Sequence, residues 1–172
     1  MTVTPDEYRR TIGRFATGVS VVTTIVDNQP RGMTASSVTS VSLDPVLILV
    51  CIEKTASMHA LLGQSRHFAV NILSAEQEHV SRLFALREGG KPEFAQQPYH
   101  PGKLGMPVLD GVLAYLECDL SAVYPGGDHD IFLGEVRHTE VLRPDGEPLI
   151  FYRGRYGGYD DAVTAGGEAA TE

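Results

Sequence analysis

What this chain of 172 residues lacks narrows its chemistry first. No GxGxxG follows a strand and no GxxxxGK[ST] occurs, so neither a Rossmann dinucleotide site nor a P-loop is indicated. HExxH is absent and the six histidines do not cluster, so no metal centre is expected. GxSxG is absent too, which leaves triad hydrolysis without support. The two cysteines, Cys51 and Cys118, show no CxxC spacing. The N-terminus, MTVTPDEYRRTIGRF, has no apolar signal core, so the cysteines read as buried thiols of a reducing cytoplasm. No apolar run approaches the roughly 18 residues of a membrane span. Basic residues are in deficit, with a net charge of −8. Neither nucleic acid nor a membrane surface is therefore expected as a partner.

What is present suits one globular domain, with 42% hydrophobic residues. TPDE at 4–7 carries a capping box and a proline at the first helical position. Tyr8, Ile12 and Phe15 follow at helical spacing until Gly18. Residues 19–26, 45–52 and 67–73 are β-branched and apolar and read as strands, and DNQP at 27–30 reads as a turn. A second strand, bent, is expected from Arg31 to Leu43, with Val38, Val41 and Leu43 facing the core. KTASMHALLGQS at 54–65 reads as a helix capped by Thr55 or Ser57 and ended by Gly63. SAEQEHVSRLFA at 74–85 is a second helix with a Ser74–Gln77 box. Residues 87–107 carry eight Gly or Pro and read as a long loop with a functional role. Alternating strands are expected at 112–124 and 130–142, joined through PGGDH, with a last strand in 147–159. The polar tail 160–172 is expected to be disordered, leaving one domain over 1–159. Strands adjacent along the chain favour an antiparallel barrel with three short helices over a parallel doubly wound sheet.

Four stretches can carry chemistry. RGMTASSVTSVSLDP at 31–45 packs six hydroxyls between Thr34 and Ser42. Either a bent strand uses them to satisfy freed backbone groups, or small side chains cradle a flat ring, with hydroxyls donating to a ligand. The pattern leaves both open. CIEKTAS at 51–57 ends a strand and opens a helix, where a helix N-terminus and Lys54 favour an anion; the alternative is an ordinary turn with a solvated lysine. GGDHDIFLGE at 126–135 sets His129 between two acids, as a functional group or a surface turn. FYRGRYGGY at 151–159 offers aromatics and two arginines that either clamp a dinucleotide or finish a barrel edge.

The order of FATGVSVVTT, GMTASSVTSVSLDPVLILVCIEKTAS, FAVNIL, GGDHDIFLGEV and PLIFYRGRY resembles the short-chain flavin reductases, the reductase components of two-component flavin monooxygenases such as the 4-hydroxyphenylacetate and phenol hydroxylases. The resemblance covers residues 5–158. It implies a mainly β fold with short helices, an antiparallel Greek-key split β-barrel of the FMN-binding type, assembled as a homodimer. It implies FMN or FAD bound by Pro30, Arg31, Gly32, Met33, Thr34, Ala35, Ser36 and Ser37. Further flavin contacts would come from Cys51, Ile52, Glu53 and Lys54, from Ser57 and Met58, and from Leu83 and Phe84. His129 would lie by the nicotinamide, with Phe151, Tyr152, Arg153 and Gly154 bordering NAD(P)H. The chain departs from many relatives at Asp44-Pro45-Val46, where they carry two prolines. The implied activity is hydride transfer from nicotinamide C4 to flavin N5, a reaction the cofactors carry themselves. Reduced flavin would pass to a separate oxygenase. The alternative is a flavin-binding carrier or sensor without reductase activity on the same barrel.

Overall fold

The computed structural model describes residues 2–86 and 91–159; the tail at 160–172, expected above to be disordered, lies outside them. Helix α1 (Pro5–Ile12) begins with the Thr4–Glu7 capping box. Strands β1 (Thr17–Gly18), β2 (Ser20–Val26), β3 (Gln29–Ala35), β4 (Val38–Leu43) and β5 (Val46–Glu53) follow. Then come α2 (Ser57–Ser65), β6 (His67–Ile72) and α3 (Glu78–Phe84), the last preceded by a 3-10 turn at Ala75–Gln77. Beyond it lie α4 (Lys91–Gln96), β7 (Tyr99–Pro101), β8 (Pro107–Leu109), β9 (Ala114–Gly126), β10 (His129–Val141), β11 (Ile150–Tyr152) and β12 (Arg155–Gly157).

Seven strands form one antiparallel sheet in the order β3-β2-β6-β9-β10-β5-β4. Its two outer strands, β3 and β4, are joined through Ser36 and Ser37 alone. Two residues reach at most about 7 Å, so the sheet must curl until its edges meet. Ser37 anchors that corner to β5: its hydroxyl donates to the Cys51 carbonyl at 2.9 Å and accepts the Cys51 N–H at 3.2 Å, continuing the β4–β5 register. The interior holds Val22, Ile48, Val50, Phe68 and Phe132, plugged by Met58 and Leu62 of α2. A second core on the outer face gathers Val21, Leu73, Val80, Phe84, Leu109 and Leu149. Val21 and Val22 are both fully buried, one in each core, which is why β2 shows no alternation of apolar and polar residues.

Several expectations are corrected. Val41 and Leu43 do not face the core: they are 47% and 85% exposed on the outermost strand, past an irregularity between Ser40 and Ser42. Only Val38 of that trio packs on the interior. Helix α1 ends at Ile12 and buries none of its residues. Helix α2 has no side-chain cap; it passes Gly63 and stops at Arg66, a left-handed C-cap whose N–H reaches Leu62. The last strand is a hairpin, β11–β12.

The stretch 87–107 is not one long loop, although residues 87–90 lie outside the described ones. It contains α4 and the β7–β8 hairpin, and none of its described residues lines the cleft reported below. Buried polar side chains hold it down. Asn71 accepts the Leu109 N–H at 2.9 Å, and the buried Glu117 carboxylate accepts the N–H groups of Leu104 and Met106, each at 3.0 Å. Gly and Pro provide its corners, but the buried acceptors decide its path.

Candidate functional site

At the seam, the Ser36 corner opens onto a cleft of about 430 Å³, inside the usual span of small-molecule sites, roughly 300–1,000 Å³. One wall is β3 and the corner after it, through Gly32, Met33, Thr34 and Ser36. The run between β5 and α2 adds Glu53, Thr55, Ala56 and Ser57. Helix α3 and its exit supply Ser81, Phe84, Ala85 and Leu86, and the β11–β12 hairpin supplies Phe151 and Tyr156. The wall is set by close packing. A Cβ on Gly32 would stand 2.6 Å from the Phe84 ring, so only glycine lets α3 press this close. The Thr34 hydroxyl donates to the Ser81 carbonyl at 2.7 Å, and the Ser81 and Tyr156 hydroxyls share a 2.9 Å hydrogen bond. The Arg82 guanidinium sits 4.9 Å from the Tyr156 ring centroid. Strand β3, helix α3 and strand β12 are thereby tied in series. Small side chains along one wall and aromatic rings on others suit a flat heteroaromatic ligand.

At the other end stands the tip of the β9–β10 hairpin. His129 is paired with Glu53 across β10 and β5, so both side chains share one face of the sheet. Glu53 lines the cleft, whereas His129, expected beside the nicotinamide, is not among its lining residues. His129 Nδ1 lies 2.8 Å from Asp128 Oδ1. This hydrogen bond, with the histidine's charge behind it, holds the Asp128 carboxyl below the usual range. Nε2 stays without a partner among the described residues. Lys54 is engaged elsewhere: its Nζ donates to the Gly127 carbonyl at 2.7 Å and lies 3.4 Å from Asp130 Oδ1. His59 Nε2 lies 2.8 Å from Asp130 Oδ2. Asp130 is held low first by the His59 hydrogen bond, then by Lys54.

The sequence matches the flavin reductase like domain over residues 12–160. The chain belongs to this flavin reductase family. It is 45% identical over 153 residues to an NADH-dependent FAD reductase of Streptomyces globisporus, covering 87% of this chain and 83% of that one. It is 37% identical over 163 residues to HsaB, the reductase subunit of a flavin-dependent monooxygenase of Mycobacterium tuberculosis, covering 94% and 86%. The structure of the Streptomyces globisporus NADH:FAD oxidoreductase SgcE6 with NAD and FAD fragments superposes with a TM-score of 0.87 at 41% identity, covering 95% of this chain and 99% of that one. The curled sheet is thus the split barrel of these reductases.

Within this family member, the expected site residues separate into groups. Gly32, Met33, Thr34, Ser36, Glu53, Ser57, Phe84 and Phe151 meet in the cleft. Ser37, Cys51, Arg153 and Gly154 line a neighbouring cavity of about 660 Å³, which shares Ser36 and Phe151 with the cleft. Tyr152 and Arg153 face a third cavity, of about 600 Å³, beside Arg155. Ala35, Ile52 and Met58 are buried in the interior core, and Leu83 packs on the outer one. Pro30 and Arg31 lie toward the far end of β3, opposite Ile25 and Thr24. Of the hydroxyls, Thr34 and Ser37 serve backbone carbonyls, while Ser36 is exposed at the cleft.

Ser81 was not anticipated, and Tyr156 was anticipated only as one of the aromatics of the 151–159 stretch. A two-residue turn at Arg153 and Gly154, with φ of 52° and 75°, folds Tyr156 back beside Phe151, their ring centroids 5.2 Å apart. The Arg-Gly pair, read as a turn that doubles the strand back, was the available signal.

Proposed function

We propose that this chain is an NAD(P)H-dependent flavin reductase that reduces FMN or FAD and releases it to a separate monooxygenase component. The carrying observation is the cleft itself, with Gly32 and Ser36 on one side and Phe84, Phe151 and Tyr156 on others, and with His129 paired across the sheet to its lining residue Glu53. The relatives' activities, NADH-dependent FAD reduction and service to a flavin-dependent monooxygenase, support this reading.

Flavin and nicotinamide together supply the chemistry, a hydride passing from C4 of one to N5 of the other. The protein's share is placement and exclusion of water. Ala56 leaves a small side chain on one wall, and Gly32 gives its space to the Phe84 ring that forms another. Phe84 and Tyr156, each locked by its neighbours, leave little freedom to the wall. Ser36 offers an exposed hydroxyl. His129, with Nδ1 engaged by Asp128, presents Nε2 toward the side where the nicotinamide would stand, and Phe151–Gly154 border the same side. Glu53 keeps its carboxylate engaged through the Thr55 hydroxyl at 2.7 Å.

A homodimer is part of this proposal. Helix α1 carries Tyr8 and Ile12 exposed, followed by Phe15 at 70%, and the outer strand β4 exposes Leu43. Apolar side chains of that size on a helix and an unpaired strand edge suit burial against a second copy. We place the working unit at residues 1–159, in the cytoplasm; no helix among the described residues is long and apolar enough to cross a membrane.

Mixing the protein anaerobically with NADH or NADPH and FMN or FAD is the direct test. The flavin absorbance should bleach in step with nicotinamide oxidation in at least one of the four combinations. Tight flavin binding with no bleaching in any of them would mean a carrier and would sink the reductase assignment.

A further inference from the structure

Strand β10 is paired on both sides from His129 onward, with Glu53 of β5 and Gly126 of β9, so only the turn Gly127–Asp128 lies past the end of the ladder. Val123 and Tyr124 beneath it are 43% and 53% exposed. A turn outside the ladder has only its own contacts to hold it, and His129 is the first residue after it. Three ties compensate. The Lys54 N–H donates to the Asp128 carbonyl at 3.0 Å. The Lys54 ammonium donates to the Gly127 carbonyl at 2.7 Å. Asp130 meets Lys54 with one carboxylate oxygen and His59 with the other, at 3.4 and 2.8 Å.

His129 and Asp130 are adjacent in a strand, so their side chains leave opposite faces. His129 shares the Glu53 face, toward the cleft. Asp130 shares the face of its partner Ile52, a core residue, and there it meets α2. His59 is itself anchored: its ring stands edge-on to Phe132 at 5.2 Å, and Phe132 is 1% exposed. The Asp130 side chain is 16% exposed, so water screens this pair less than a typical surface ion pair. The rigidity of the core thus reaches the tip through Phe132, His59 and Asp130.

We propose that Asp130 is a positioning residue: by bridging His59 of α2 and Lys54 at the end of β5, it fixes the hairpin tip and so sets where His129 meets the nicotinamide, without acting on the flavin wall. This rests on the reading of His129 as the residue on the nicotinamide side.

The test compares Asp130→Asn, His59→Gln, His129→Ala and the double variant His129→Ala/Asp130→Asn. Each is read by KM for the nicotinamide nucleotide, kcat, and flavin Kd from fluorescence titration. Asp130→Asn keeps the size of the side chain and removes its charge. It should raise the nucleotide KM roughly tenfold, with flavin Kd within about twofold, because a displaced contact loses orientation rather than the wall. His59→Gln, which breaks the same pair from the helix side, should reproduce this effect. The double variant should be no worse than His129→Ala, because Asp130 acts only through His129. Additive losses in the double variant, an unchanged KM, or a flavin Kd that rises in step with KM would overturn the proposal. His129→Ala alone checks the underlying reading: if its KM is unchanged, the nicotinamide role of His129 fails, and the positioning role falls with it.

Discussion

On one side of the site, Gly32, Phe84, Ser81 and Tyr156 meet through close packing and short hydrogen bonds, with Phe84 1% exposed and Ser81 fully buried. On the other, His129 stands on a tip tethered by Lys54, Asp128, Asp130 and His59, all of them reachable by solvent. The wall is held by excluded volume and buried hydrogen bonds, which salt does not screen. The tip is held by charges, and exposed charges weaken over a Debye length of about 8 Å at physiological ionic strength. The wall is thus insensitive to salt, whereas the tip keeps its place only while Asp130 and its partners stay charged and paired.

The sharpest way to break this contrast is Gly32→Ala. The added methyl meets a buried ring at 2.6 Å, and overpacking of this kind costs about 1–3 kcal/mol. Flavin affinity and the thermal unfolding midpoint should fall together, as titration and calorimetry would register. Unchanged flavin affinity would show that the wall is softer than its contacts suggest. A milder change is Tyr156→Phe, which removes only the hydroxyl bonded to Ser81 and should cost about 0.5–1.5 kcal/mol. Flavin Kd should rise several-fold while the nucleotide KM holds; the opposite split would move Tyr156 to the nucleotide side.

Acid should produce the smallest effect, and it should act on the tip. Asp128 and Asp130 are held below the usual carboxyl range by His129 and His59. A carboxyl whose pKa is lowered by folding stabilises the fold above its unfolded value of about 4. That contribution is lost as pH falls through the folded value. The unfolding midpoint should therefore stay level from neutrality to about pH 5 and drop below it. Asp130→Asn should reduce the drop, whereas Tyr156→Phe should leave it as it is.

The strands were legible because β-branched and apolar runs carry their own conformational preference, and β2, β5 and β6 lie where those runs predicted. The Thr4–Glu7 and Ser74–Gln77 boxes were legible because the partners sit three residues apart. Val41 and Leu43 were not: alternation tells that a strand has two faces, while an irregularity at Ser40/Ser42 and an outermost position decide which face meets what. Lys54 was expected at an anion site, yet its nearest neighbours are Gly127 and Asp130, more than seventy positions along the chain. Nothing local announces such a contact.

The hydroxyl-rich stretch at 31–45 shows the division best. The sequence by itself determined that extended, hydroxyl-rich chain runs through Ser36 and Ser37, that small side chains gather there, and which family the motif order resembles; the single bent strand expected from Arg31 to Leu43 is in fact two, β3 and β4, broken at those serines. Each of these depends on residues within a few positions of one another or on their order. Only the tertiary structure decided that β3 and β4 are opposite edges of one sheet, that Thr34 and Ser37 spend their hydroxyls on the Ser81 and Cys51 carbonyls, and that Tyr156 completes the cleft. The physical reason is common to all three. A buried backbone group must find a partner wherever the fold brings one, and a curled sheet brings together residues that sequence spacing keeps far apart.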